Sequence, residues 1–477
     1  MLPFPKTRFK KSSELQNALP AIPNVQYREF LSLAIGVIPI ENKLQCRSSR
    51  LVLDSKLLCT MNSIKSVSFK NFKCFSTEAK IELRPLTLFY GYNNSGKSAL
   101  LRGVCMAVNS LLKNGSEPLD RRLPVFSSDM MLDEIVTQET GELQQGRLEL
   151  RVQLTPSMQR LSWEFYSLPE RQTYVVSHFT VEASDGTTEL GAEWLTNETP
   201  DGWIGNTYQA TFRNTQRQIS FTFSGLLPNS DDPEIAAFVE SIRPAGSHPC
   251  HWLHSERSTG KRDFRKEPVR VAFSPSGEGF ANLLRHSERT MAHSKLFQDV
   301  ALWFRTNLHQ ELYIKDGTRD FEIQFGTTAT PTRVNLCDVG QGLQETLPLL
   351  TALLAFRIEP EISQLAFEEP ESHLHPKYHA ALANAFCTVV RDRGPKLMVE
   401  THSQNLLLGV QTEIARQALS PEDVVVYWVR SDIAGNSVAE QVTFDGLGQP
   451  SANWPPDVFS DDVKQSRALY ELRKRQQ

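Results

Sequence analysis

The sequence predicts an α/β fold: a head whose two halves are separated by an antiparallel β-subdomain and a helical insertion. Three observations predict it. A short apolar run, "LTLFY" (Leu86–Tyr90), opens into a glycine-bearing loop and then a helix-spaced stretch, "ALLRGVCMAVNSLL". Two later apolar runs end in polar residues, Leu365–Phe367 in Glu368-Glu369 and Leu397–Val399 in Thr401-His402-Ser403. Between the two halves, "RLELRVQL", "TYVVSHFTVEA", "TYQATF" and "QISFTFSGLL" alternate like strands, with turn residues such as Asp185-Gly186 between them.

The loop after the first strand is Gly91-Tyr92-Asn93-Asn94-Ser95-Gly96-Lys97-Ser98, and it fits G-x-x-x-x-G-K-[ST] without a mismatch. Strand, loop and helix are the context the motif requires. Its glycines let the backbone curl so that N–H groups face phosphate, and the helix N-terminus that begins near Ala99 adds a favourable dipole. Lys97 is expected to reach the β- and γ-phosphates of ATP, and Ser98 to ligate Mg²⁺.

A strand ending in acid is the second part that such a site needs. In "ISQLAFEEPE" one carboxylate, Glu368, is placed to hold Mg²⁺ and the next, Glu369, to act on the water that attacks the γ-phosphate. "KLMVETHS" repeats the form, and His402 at its end is placed to contact the γ-phosphate, since ligands in open α/β sheets collect at the carboxyl ends of strands. Between these, "NLCDVGQGLQETLPLLTALLAF" carries a glycine turn, Asp338 to Gly342 with Gly340 inside it. A leucine stripe at Leu343, Leu347, Leu350 and Leu354 then reads as a helix. A glycine-flanked helix start is a further anion site or an ordinary loop before a core helix.

The acidic segment extends to "LAFEEPESHLHPKYH", where His375 and His379 stand at the i,i+4 spacing that can share a metal on a helix. With the glycine loop upstream, the segment divides by role instead. Glu368 and Glu369 belong to the nucleotide and its metal, and His379 falls one helical turn further on. "HPCHWLHSER" (His248–Arg257) holds three histidines and a cysteine, but its spacing fits no common zinc pattern, and a core strand is the alternative reading.

Composition excludes several classes. Of 477 residues, 40% are hydrophobic and 22% charged, as in ordinary globular proteins. The longest apolar candidate, Phe30–Ile40, is shorter than the roughly 18 residues a membrane span needs and contains a proline. Seven scattered cysteines without a C-x-x-C pair fit a reducing cytoplasm. Residues 1–60 carry nine Lys/Arg and four Asp/Glu, a net +5, so the remainder of the chain sums to −9 against a total of −4. A surface that grips nucleic acid throughout is usually basic, so any such contact here is local, with "GKRDFRKEPVR" (Gly260–Arg270) the candidate run. Residues 1–60 lack periodicity and read as an over-extended start before Met61, a flexible tail or a targeting segment. The organisation expected from these signals is 61–111 as the first half of the head, 112–335 as the β-rich and helical insertion, and 336–477 as the second half.

The order of motifs resembles the ATP-binding-cassette type of P-loop NTPase. More narrowly it is similar to the AAA-named, cassette-like ATPases of prokaryotes, relatives of RecF and structural-maintenance-of-chromosomes (SMC) heads and of overcoming-lysogenization-defect (OLD) nucleases. The resemblance runs from about Ile64 onward and rests on "NFKCF", "GYNNSGKSALL", "DVGQGLQETLPLL", "FEEPESHLHP" and "VETHS"; the closing "NWPPDVF" resembles a tail of one subgroup. It implies that Gly91 to Ser98 is the Walker A loop, Glu368 the Walker B acid, Glu369 the catalytic carboxylate, Ser372 to His375 the D-loop and His402 the switch histidine. Asp338 to Gly342 would be the signature turn, shown to ATP on a second subunit, although no serine precedes its glycines as in L-S-G-G-Q. Gln138 is the candidate Q-loop residue. The implied protein is a cytoplasmic Mg²⁺-dependent ATPase that dimerises on ATP and gates a separately encoded nuclease or toxin in anti-phage defence. The rivals are a repair or chromosome ATPase acting directly on nucleic acid, and a nucleotide-controlled scaffold with little hydrolysis. About seventy residues follow His402, too few for the acidic nuclease domain of OLD proteins.

Overall fold

The computed structural model describes residues 62–112, 117–120, 135–136, 147–168, 173–195, 205–244, 250–257, 260–269, 273–290, 294–327, 329–356, 364–433, 435–455 and 461–476. The expectations for residues 1–60, for Gln138 and for the end of "NWPPDVF" lie outside the described residues.

Strands β1 (Ser63–Lys70), β2 (Ala79–Glu82) and β3 (Leu86–Gly91) lead through the glycine loop into α1 (Lys97–Leu112). A run of strands follows: β4 (Arg147–Thr155), β5 (Arg160–Leu168), β6 (Thr173–Glu182), β7 (Thr188–Trp194), β8 (Thr207–Phe212), β9 (Thr215–Phe223) and β10 (Pro228–Ser230). Next come α2 (Pro233–Ile242), β11 (His251–Leu253), β12 (Phe264–Arg265), α3 (Phe280–Arg289) and α4 (Ser294–Leu308). Then β13 (Glu311–Asp316), β14 (Asp320–Thr327), β15 (Thr330–Asn335) and a 3₁₀ turn at Leu336–Asp338 precede α5 (Gln341–Phe356). The chain closes with β16 (Gln364–Glu368), α6 (His379–Arg391), β17 (Lys396–Thr401), α7 (Gln404–Ala415), β18 (Val424–Ser431), β19 (Ser437–Val442) and α8 (Asp461–Gln476).

The central sheet runs β11-β16-β17-β3-β18-β19 and is parallel except at β19. Parallel strands need crossover connections; α6 supplies one between the neighbours β16 and β17, and α7 leads from β17 past β3 to β18. The antiparallel sheet runs β10-β9-β8-β7-β6-β5-β4-β1-β2, so β1 and β2 join strands from beyond α1. A small sheet of β12, β13, β14 and β15 accompanies α3 and α4, which together make the helical insertion. This is the α/β head with antiparallel subdomain that the sequence predicts. "HWL" in the histidine-rich stretch is β11, on the edge of the central sheet beside β16.

Both faces of the central sheet are covered, which explains its unbroken apolar strands. Successive side chains point to opposite faces. Ala366, Met398, Val425 and Tyr427 therefore join the core shared with α1 and the antiparallel sheet. Leu365, Phe367, Leu397, Val399, Val424 and Val426 join the core shared with α3 to α7. Register then sets the site, because Glu368 pairs with Glu400, Glu400 with Phe89, and Gly91 with Val429 along one edge.

A buried cation ties this edge to α5. The Arg257 side chain is fully buried, and its Nη2 donates to the Glu368 carbonyl at 2.7 Å and the Glu369 carbonyl at 3.4 Å. Its Nη1 lies 3.9 Å from Glu345 Oε2, in the first turns of α5. Burial pulls the guanidinium down to about 10, against the pull of Glu345 and the neighbouring glutamates. Removing one partner of such a pair strands the other, so Arg257→Met is expected to cost about 3–5 kcal/mol in urea unfolding. A loss below about 1 kcal/mol, the scale of an exposed pair, would mean that the pair is solvated in solution.

Candidate active site

The glycine loop curls because two of its residues take left-handed backbone, Asn94 at φ 62° and Gly96 at φ 97°. A β-carbon on Gly96 would lie 2.6 Å from Cys74 Sγ and 2.9 Å from the Phe75 ring, so the β1–β2 connection closes over the loop only if residue 96 is glycine. Tyr92, Asn93, and Asn94 are exposed, while Ser95 and Lys97 are buried. Lys97 Nζ donates to the Tyr92 carbonyl at 2.8 Å across the loop's own mouth. Burial lowers its pKa, and Glu400, Glu369 and Glu371 oppose that shift.

Two carboxylates stand side by side at the strand ends and have different surroundings. Glu368, 2% exposed, is gripped by Arg102 from α1, with Nε to Oε1 at 2.5 Å and Nη2 to Oε2 at 2.8 Å. Trp252 Nε1 adds a third donor to Oε1 at 3.1 Å. Glu400, also 2% exposed, accepts the Ser98 hydroxyl on Oε1 at 2.7 Å, and its Oε2 is buried without a hydrogen-bond partner. Burial pushes the Glu400 carboxyl up to about 7; the Ser98 bond and Lys97 oppose this, and the charges of Glu368 and Glu369 reinforce it.

Glu369 leaves the strand in the left-handed region, φ 40°, an uncommon state for a residue with a side chain. Its N–H donates to the Glu400 carbonyl at 2.9 Å. Its carboxylate lies 3.6 Å from His402 Nε2 and accepts the Ser372 hydroxyl at 3.1 Å. The His402 contact holds its pKa below the usual carboxylate range, with help from Ser372 and Lys97 against partial burial. Ligand atoms of Glu369, Glu400 and His402 all lie within 4.8 Å of one another, the one such group among the described residues.

The turn after Glu369 is fastened by buried polar groups. Glu371 Oε1 accepts both the Thr401 hydroxyl, 2.7 Å, and the His402 N–H, 2.8 Å. His379 Nε2 donates to the Leu374 carbonyl at 2.8 Å, which leaves Nδ1 to accept the Ser403 hydroxyl at 2.6 Å. Ser403 also caps α7 through the Leu406 N–H. His375 instead caps its own 3₁₀ turn at the Lys377 N–H, so the two histidines of the i,i+4 pair serve different partners.

Of the residues picked from sequence, Lys97, Ser98, Glu368, Glu369 and His402 sit along this one edge. Asp338 and Gly340 are exposed near the head of α5, where Arg262 clamps Asp338 with two bonds of 2.7 and 2.9 Å. Gly342 is packed, since a β-carbon there would lie 2.4 Å from the His373 carbonyl, which presses the start of α5 against the turn after Glu369. Gln341 Nε2 donates to Glu345 Oε1 at 2.8 Å, joining the glycine turn to the Arg257 pair.

Sequence reading missed Glu400, Arg102 and Arg257. For Glu400 a signal existed: it ends an apolar strand just as Glu368 does, but T-H-S beside it drew the attention. Arg102 stands four residues after Ser98, on one helix face, which pairs it with the strand edge only once the sheet is known. The donor set of one hydroxyl and several carboxylates is hard oxygen chemistry, and with the unpartnered Glu400 Oε2 it fits Mg²⁺.

A family model described as "AAA domain, putative AbiEii toxin, Type IV TA system" matches residues 86–408. The Old nuclease of Escherichia phage P2 is 24% identical over 362 residues, covering 72% of this chain and 57% of that protein, so the chain spans little more than half the length of this curated relative. Among solved structures, an Smc head bound to the C-winged helix domain of ScpA is similar, with a TM-score of 0.41 at 12% identity over 80% of this chain and 98% of that one. An Smc head with an extended coiled coil, bound to the C-terminal domain of ScpA and derived from Pyrococcus furiosus, gives 0.41 at 11% over 87% and 100%. The SMC head domain from Thermotoga maritima gives 0.35 at 10% over 80% and 99%. With the family match running from the first residue of β3 into α7, over more than half its length, the chain belongs to this AAA-domain family.

Proposed function

We propose that the protein hydrolyses ATP with Mg²⁺, that two copies close head to head around two ATPs, and that this cycle gates a partner effector in prokaryotic anti-phage defence. The observation that carries the ATPase part is the meeting of the Lys97 loop with the Glu369–His402 pair at one sheet edge. The toxin wording of the family description and the phage relative support the defence part.

Each residue has a task in this reading. Lys97 leaves the Tyr92 carbonyl for the β- and γ-phosphate oxygens, while the loop N–H groups and the head of α1 bind the rest. Ser98 and a strand-end carboxylate hold Mg²⁺, which when bound neutralises charge on the phosphates. Glu369 stays ionised beside His402 and accepts a proton from the attacking water. His402, its main chain pinned by Glu371, faces the γ-phosphate. The turn of Asp338, Gly340 and Gly342 faces the nucleotide of the second copy, and Gln341, Glu345 and Arg257 connect that turn to the backbone of Glu369. The curated relative is named a nuclease, which favours as second reading an ATPase acting directly on DNA. Tight DNA binding by the pure protein that weakens steeply with salt would support it.

Lys97→Ala is expected to abolish ATP binding in a fluorescent-nucleotide titration. Glu369→Gln is expected to keep binding, lower turnover by about 10²–10⁴-fold, and shift the protein to a dimer on ATP in light scattering. Normal turnover by Glu369→Gln would falsify its assignment as base, and negligible turnover by the parent would favour the scaffold reading.

The nucleotide-free state should also show its crowded charge. The Glu400 carboxyl titrates near 7 when folded and near its ordinary 4.5 when unfolded, so between these values the folded chain binds more protons. Stability is then fully present below 4.5 and lost as pH rises through 7. Thermal melts from pH 5 to pH 8 check this: Glu400→Gln should raise the melting temperature at pH 8 far more than at pH 5. An equal effect at both would refute the charge account.

A further inference from the structure

Three strand ends meet at the site, and their order sets how far each carboxylate stands from the glycine loop. In the central sheet β17 lies between β16 and β3, with Glu400 in register with Glu368 on one side and with Phe89 on the other. Neighbouring strands are about 4.8 Å apart, so Glu400 stands one strand closer to the glycine loop than Glu368 does.

The side chains follow the same division. Glu368 has both oxygens on Arg102 and a further donor in Trp252, so its charge is paired and three donors already occupy it. Glu400 touches Ser98, the hydroxyl that the loop offers to a metal, and keeps Oε2 buried and unpartnered, and its carboxylate lies within 4.8 Å of ligand atoms from Glu369 and His402. A buried carboxylate oxygen with no donor is costly. A cation beside it supplies the missing partner and relieves the repulsion between Glu400, Glu368 and Glu369.

We propose that Glu400, and not Glu368, is the carboxylate through which the chain holds the divalent cation that accompanies the nucleotide. Glu368 instead works as a fixed wall, clamping α1 to β16 through Arg102. The assignment rests on the nucleotide reading of the site, and it reverses the expectation that the acid of the "FEEPE" strand is the metal residue. Ser98 and Glu400 then form the metal side of the site, and Glu369 and His402 the water side.

The test uses the full chain and Mn²⁺ as a probe. Free Mn²⁺ is followed by its paramagnetic resonance signal in the presence of ADP, and nucleotide affinity in the presence of EDTA is measured separately. Glu400→Gln should weaken Mn²⁺ binding by about 10- to 100-fold while leaving EDTA-state nucleotide affinity nearly unchanged. Glu368→Gln should leave Mn²⁺ affinity nearly unchanged. Loss of Mn²⁺ affinity in Glu368→Gln, alone or to the same extent as in Glu400→Gln, overturns the proposal. Should Glu400→Gln fold poorly, Glu400→Asp keeps the charge with a shorter reach. It should bind Mn²⁺ more weakly than the parent, and parental affinity there overturns the proposal as well. A parent protein that binds no nucleotide with or without metal overturns the nucleotide reading itself, and the proposal with it.

Discussion

Four carboxylates crowd the carboxyl edge of the central sheet, three of them close enough to act on the charge of Lys97, and the rest of the site is arranged to make that crowding tolerable. Glu368 is neutralised by Arg102, Glu369 leans on His402 and Ser372, Glu371 accepts the Thr401 hydroxyl and a main-chain N–H, and Glu400 takes one hydroxyl and is left short of a partner. Buried like charges are costly unless each is paired. Glu371 and Glu400 each keep one buried oxygen without a donor, and of the two it is Glu400 that meets the glycine loop, through Ser98.

The same edge is mechanically tied to the start of α5. Arg257 reaches the backbone on both sides of the turn from Glu368 to Glu369, and Glu345 lies opposite it on the helix whose first residue, Gln341, is bonded to that same glutamate. Gly342 lets the helix press on the His373 carbonyl. A shift of the glycine turn has a direct route to the backbone that aims Glu369. His379 and Glu371 fasten the other side, joining the turn to the Thr401-His402-Ser403 segment and so tying the two strand ends together.

Much of this was legible in the sequence, for identifiable reasons. The glycine loop is read from residue identity alone, because only that spacing of glycines with Lys97 and Ser98 makes a phosphate cradle. The strands of the central sheet announce themselves as unbroken apolar runs because both their faces are buried. Alternation marks the antiparallel sheet because its strands show one face to the core and the other outward, as in β4 and β5, where every second residue from Leu148 and from Leu161 is buried. The i,i+4 histidines misled at first sight, since helical spacing says that two side chains can meet and not that they do.

The sequence by itself determined the fold class, the nucleotide loop and the residues Glu368, Glu369 and His402 at their strand ends, because each depends on local spacing and on the period of its element. Tertiary structure alone decided which carboxylate Arg102 engages and which one meets Ser98. Arg102 lies 266 residues from Glu368 along the chain, and Ser98 lies 302 from Glu400. Both pairings are set by the order β16-β17-β3, which puts the later strand between the two earlier-recognised ones. Strand order is a property of how faces pack across the whole sheet, and no window of sequence carries it.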